Sequence, residues 1–148
     1  MYWVKRRRKK RASSVTKHYL THKEVSRVII HKRLDYWNQF YNFHYKRVAV
    51  RNQRRCWGSC TSLKNLNFSY KLLFLPTHLQ DYIIVHELCH LQELNHGKIF
   101  WALVAQQMPD YKAHISELKT IEHGGMSAVR LEKMKQTELL NVVTNETI

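Results

Sequence analysis

The sequence predicts an α+β fold in which short strands and helices occupy separate stretches of one chain, with a buried helix at the centre. Three observations carry this reading. Ile30, Leu34, Trp37 and Tyr41 recur at helical spacing and form one apolar stripe. Val48 and Val50, and then Leu66, Phe68 and Tyr70, alternate with less apolar neighbours, the period of a half-buried strand. After Pro76 the chain is apolar over most of a helix circumference, which marks a helix buried on most faces.

Taken in order, residues 1–19 read as a basic leader, because Lys5 to Arg11 is an unbroken run of Lys and Arg that repels itself. Thr21 followed by Glu24 is a capping-box pattern and predicts the start of the first long helix. A first strand follows from Lys46. Gly58 and Ser59 lie in a turn-rich stretch before the second strand, and Leu72 to Leu75 extend or follow that strand as a third apolar run. Pro76 ends the run, since proline cannot donate to a ladder, and Thr77 can cap the next helix. That helix is expected from about His78 to about Leu94. A further helix follows the break at Gly97 and ends near Pro109, and another spans Asp110 to Glu122. These elements make one domain over residues 20–125. Residues 126–148 form a weakly patterned extension, with helix expected at Leu131 to Leu140.

The 148 residues suffice for one compact domain with a real core. No apolar run is long enough to span a membrane, and no apolar stretch follows the N-terminal charges as in a secretory signal. Cys56, Cys60 and Cys89 are too few and too uneven for a disulfide framework, so a reducing, cytoplasmic setting is expected. Lys and Arg number 25 against 11 Asp and Glu, a net charge of +14 that suits a polyanion such as a nucleotide or nucleic acid.

The candidate chemistry lies in His86-Glu87-Leu88-Cys89-His90, an H-E-x-x-H pattern inside the expected buried helix. Residues four apart project from one helix face, so both imidazoles can reach one metal ion. Glu87 then lies beside that face, where it can take a proton from a zinc-bound water. A turn at Asn95 or Gly97 could bring His96 back as a third ligand, since Asn and Gly tolerate the left-handed conformation. Three protein ligands and an open position are the pattern of a catalytic rather than a structural zinc. His18, His22, His31, His44, His78, His114 and His123 are expected on surfaces or helix faces.

Arg51-Asn52-Gln53, Cys56-Trp57-Gly58-Ser59-Cys60, Leu66-Asn67-Phe68, Asp81 to His90, Asn95-His96-Gly97, Phe100-Trp101 and Pro109-Asp110-Tyr111 together resemble the YgjP-like metallopeptidase-domain proteins. The resemblance runs from about Thr21 to Glu122. It implies a zincin-like architecture, related to SprT-like peptidases, with a small antiparallel sheet flanked by helices. It also implies Zn2+ held by His86, His90 and His96, with Glu87 as the family's glutamate. Many members carry an arginine where this chain has Cys56; Arg54 and Arg55 stand nearby. Trp57 is expected as a packing anchor beneath the site, and Gly58 as a residue whose backbone conformation others cannot adopt.

The function expected on these grounds is a zinc-dependent hydrolase, a metallopeptidase acting on a peptide or protein. Arg54, Arg55 and Tyr111 are the candidate substrate-binding or transition-state residues. Two alternatives keep the metal: a nucleotide (UTP) pyrophosphatase, as some family members are described, and a basic nucleic-acid-associated protein with a structural zinc. The second alternative would want base-stacking aromatics on an exposed sheet face, for which Phe68 and Tyr70 are candidates.

Overall fold

The computed structural model describes residues 14–125, 127 and 130–136; the basic run at residues 5–11 lies outside them. The first helix, α1, spans Ser14–Tyr41 and so begins upstream of Thr21. Thr21 caps nothing: its hydroxyl donates to the Lys17 carbonyl within the helix. Tertiary contacts order these first turns, because the Tyr19 hydroxyl donates to the Val50 carbonyl at 3.1 Å and His18 meets the Tyr70 hydroxyl. The expected stripe is real. Ile30 and Leu34 are buried, while Trp37 and Tyr41 pack against the core from its edge.

Strands β1 (Arg47–Arg51), β2 (Gly58–Cys60) and β3 (Asn65–Ser69) form one sheet in the order β1-β3-β2. The sheet is mixed rather than wholly antiparallel, since β1 runs parallel to β3 while β2 is antiparallel to it. Residues 52–64 explain this: they carry the chain across to the far edge of β3 and serve as the crossover that a parallel pair requires. The Gly58-Ser59 stretch is thus a strand, with Gly58 opposite Phe68. Lys64 turns the β2–β3 hairpin at φ 61°. Leu66 and Phe68 are fully buried, and so is Tyr70, which begins a 3-10 helix over Tyr70–Phe74 instead of extending the strand. Neither aromatic is available as an exposed stacking platform.

Helix α2 (Thr77–His90) follows, with Pro76 rather than Thr77 at its N-cap. It packs against α1, β2, and the next two helices, α3 (Lys98–Gln107) and α4 (Tyr111–His123). Ile84, Val85, Leu88 and Cys89 are wholly buried, which at about 1.5–3 kcal/mol for each large aliphatic side chain makes α2 the strongest single contributor to the core. Arg33 of α1 pairs with Asp81 of α2. Residues 130–136 are helical, and Leu131 is 1 % exposed within the same core. Among the described residues no helix is long and apolar enough to cross a membrane.

Candidate metal centre

Helix α2 ends at His90, earlier than its apolar pattern suggests. Leu91, only 7 % exposed, follows as the cap residue and the chain turns through residues 91–97. The turn needs no left-handed residue: neither Asn95 nor Gly97 has a positive φ. It returns His96 to the His86–His90 face. The three Nε2 atoms form a near-equilateral triangle, with 3.1 Å from His86 to His90, 3.0 Å from His90 to His96 and 3.1 Å from His96 to His86.

The other ring nitrogens set the proton positions. His90 Nδ1 lies 2.9 Å from the Glu93 carbonyl oxygen, which can only accept, so Nδ1 carries the proton and Nε2 presents a lone pair. His86 Nδ1 meets the Tyr82 hydroxyl at 3.2 Å. Phe100 stacks on the His90 ring at 4.4 Å and Trp101 on the His96 ring at 5.7 Å, fixing both planes. Three convergent ring nitrogens, each a donor or an acceptor but not both, cannot all satisfy one another. A tetrahedral ion about 2.0–2.1 Å from each nitrogen would separate them by about 3.3–3.4 Å, so the observed triangle fits one zinc-sized cation.

Electrostatics agree. His86 is pushed down from 6.5 to about 3, first by burial and then by the neighbouring His90 and His96. His90 is also lowered, chiefly by burial. Both rings are therefore ready to act as neutral ligands rather than as imidazolium ions. Glu87 is 6 % exposed and its Oε2 has no hydrogen-bond partner among the described residues. Burial raises its carboxyl from 4.5 to about 8. An orphaned carboxylate oxygen beside a convergent imidazole triad is a further sign of a site built around a cation.

Strand β2 closes over this glutamate. A Cβ on Gly58 would lie 2.7 Å from Glu87 Cγ and 2.9 Å from its Oε1. Gly58 is therefore required by space and not by an unusual backbone conformation, since its φ is not positive. Trp57 anchors the strand as expected: it is buried and its Nε1 donates to Glu122 Oε1 of α4 at 2.8 Å. Beside the triad opens a cavity of about 530 Å3, its walls including Trp57, Ile83, Trp101, Ile115 and Leu118 together with His86, Glu87 and His96. Arg55 and Lys119 also line it. Arg54 does not; its charge acts on Lys71 instead. Tyr111 stacks on Trp101 at 4.9 Å and lies outside the lining. Cys56 is an exposed free thiol in the same wall.

Two residues of the site escaped sequence reading. Tyr82 precedes His86 by one helical turn, so the i,i+4 rule could have found it. Trp101 reads only as part of an apolar helix and shows its place on His96 in three dimensions alone.

No curated protein matches the sequence. The fold is similar to the metallopeptidase zymogen of Pyrococcus abyssi abylysin, with a TM-score of 0.56 at 20 % identity over 62 % of this chain and 92 % of that one. The family model described as "YgjP-like, metallopeptidase domain" matches residues 2–121. With most of its length matched by that model, a zincin-like fold and a His-rich centre that could hold a metal, the chain is a metal-dependent hydrolase and belongs to the YgjP-like metallopeptidase-domain family.

Proposed function

We propose that this protein is a zinc-dependent peptidase in which His86, His90 and His96 hold Zn2+ and Glu87 is the general base. The single observation that carries the reading is the triangle of Nε2 atoms at 3.0–3.1 Å beside a buried carboxylate with an unpartnered oxygen. When bound, the ion supplies Lewis-acid polarisation of a carbonyl and acidifies water towards a pKa of about 7.

The remaining steps belong to the chain. Glu87 accepts a proton from the attacking water at its free Oε2 and hands it to the departing amine. A positive charge held by the three imidazoles favours its carboxylate form, offsetting the burial that raises its pKa. Tyr82 and the Glu93 carbonyl orient two of the imidazoles. The cavity's apolar walls suit an uncharged side chain of a peptide next to the bond being cut.

The test is metal analysis followed by paired assays on wild type and Glu87→Gln. One zinc held by His86, His90 and His96, with peptide cleavage lost in the variant while that zinc is retained, is the expected result. A chain without zinc affinity at these histidines overturns the reading. UTP turnover that dies with Glu87, without peptide cleavage, moves the same centre to nucleotide hydrolysis.

A further inference from the structure

A second cluster of metal-ligating side chains lies on α1, away from the H-E-x-x-H helix. His18 and His22 are one helical turn apart, so they share a face just as His86 and His90 do. Glu132, from the helical residues 130–136, faces both. Its Oε2 is 3.0 Å from His18 Nε2 and its Oε1 is 3.7 Å from His22 Nε2. All three ligand atoms lie within 4.8 Å of one another. The side chains are only 17 %, 24 % and 33 % exposed for His18, His22 and Glu132, well below an ordinary surface pair.

The supporting contacts hold the rings in a ligating pose. His22 Nδ1 is 2.9 Å from the His18 carbonyl oxygen, so that nitrogen carries the proton and Nε2 offers its lone pair towards Glu132. His18 Nδ1 is held 3.1 Å from the hydroxyl of Tyr70, which is itself fully buried. Phe74 packs against both imidazoles, at 5.5 and 5.3 Å. Five side chains from three separate stretches thus converge, with two Nε2 atoms aimed at one carboxylate.

One proton on His18 serves the Oε2 contact but leaves the His22 lone pair facing Oε1, acceptor against acceptor. A second proton, on His22 Nε2, would make that ring a cation stacked 4.2 Å from its neutral neighbour. A single divalent cation is attractive to all three groups at once. We propose that His18, His22 and Glu132 form a second cation site, for a borderline transition ion of the Zn2+ class, as two imidazoles and a carboxylate select. A cavity of about 240 Å3 lined by His22, Glu132, Phe74 and Lys135 adjoins it and gives a hydrated ion access. Among the described residues no second carboxylate is grouped with the three. The site is structural: its ion fastens residues 130–136 to α1 and to the 3-10 helix that carries Tyr70 and Phe74.

The proposal does not depend on the function assigned to the α2 centre, and its test keeps the two apart. Metal-stripped full-length chain is titrated with Zn2+ alone and the stoichiometry read by native mass spectrometry, with folding checked by circular dichroism. The expected result is two ions in wild type and in Glu87→Gln, and one in Glu132→Gln and in His22→Ala. Zn2+ should also slow amide exchange over residues 130–136 in wild type and leave it unchanged in Glu132→Gln. One ion in wild type, lost on replacing His86 and His90 but retained in Glu132→Gln, overturns the proposal. One ion lost in Glu132→Gln instead upholds it and removes the α2 centre. Glu132→Gln is close to isosteric at a partly exposed position, so its fold is expected to survive. Were that variant unfolded, the His22→Ala chain decides: one ion fewer than wild type upholds the second site and an unchanged stoichiometry overturns it.

Discussion

Glu87 combines deep burial, an unpartnered oxygen and a carboxyl raised to about 8. Two predictions belong to this residue. Glu87→Gln should retain zinc and lower peptide cleavage by at least the ~10²–10⁴-fold that general acid-base catalysis contributes; unchanged turnover numbers would sink its role. The second concerns the metal-stripped chain. Unfolded, Glu87 loses its proton near 4.5, but the folded protein holds it to about 8. Between those values the native state binds more protons, so stability falls as pH rises. His86, lowered from 6.5 to about 3, works the other way, adding stability as pH rises from about 3 to 6.5. Below 6.5 the two oppose each other; from 6.5 to 8 the Glu87 contribution stands alone. Thermal melts of the stripped wild type should therefore fall in midpoint from pH 6.5 to 8, and those of stripped Glu87→Gln should not. An equal fall in both would show that another group is responsible.

At the scale of elements, the centre depends on β2 lying against α2 with no side chain between them. Gly58→Ala would place a methyl group 2.7 Å from Glu87 Cγ, and the buried glutamate has little room to retreat. A shift of about 1 Å in a catalytic group can cost about 10²-fold in rate. Gly58→Ala should therefore depress turnover by about that factor with zinc affinity nearly unchanged, because the atoms nearest the new methyl belong to Glu87 and not to an imidazole. Tyr82→Phe separates the functions in the opposite sense. Removing the hydroxyl that meets His86 Nδ1 should weaken zinc binding by about 10–100-fold, as measured by competition with a chromogenic chelator. Wild-type affinity in Tyr82→Phe would mean that packing alone orients His86.

For the whole molecule, a metal that binds only the folded state must stabilise it. At free zinc of about 100 times Kd the contribution is about 2.7 kcal/mol, or about 5–10 °C in Tm for a domain of this size. Measured in the Glu132→Gln background, which silences the α1 cluster, chelation should lower Tm by that amount, and His86→Ala should abolish the response. A chelator-independent Tm would contradict a centre assembled only in the fold. The contacts give this coupling its physical basis. His86 and His90 project from a helix packed on α1, β2, α3 and α4, and His96 is backed by Trp101 of α3.

Much of this was legible in one dimension. The periodicities of residues 30–41, 48–50 and 66–70 and the apolar run after Pro76 place most of the elements, because side-chain period and backbone geometry are the same fact seen twice. The i,i+4 spacing by itself determined that His86 and His90 share a face. What depends on residues distant in sequence was decided only by the tertiary structure. The early start of α1 is set by Val50 and Tyr70, the parallel β1–β3 pair by a crossover, and the demand for glycine at 58 by a glutamate on another element. His96 and the His18–His22–Glu132 cluster belong to the same class. Local spacing can suggest which face a ligand occupies, but the distance that makes it a ligand comes from how separate elements pack.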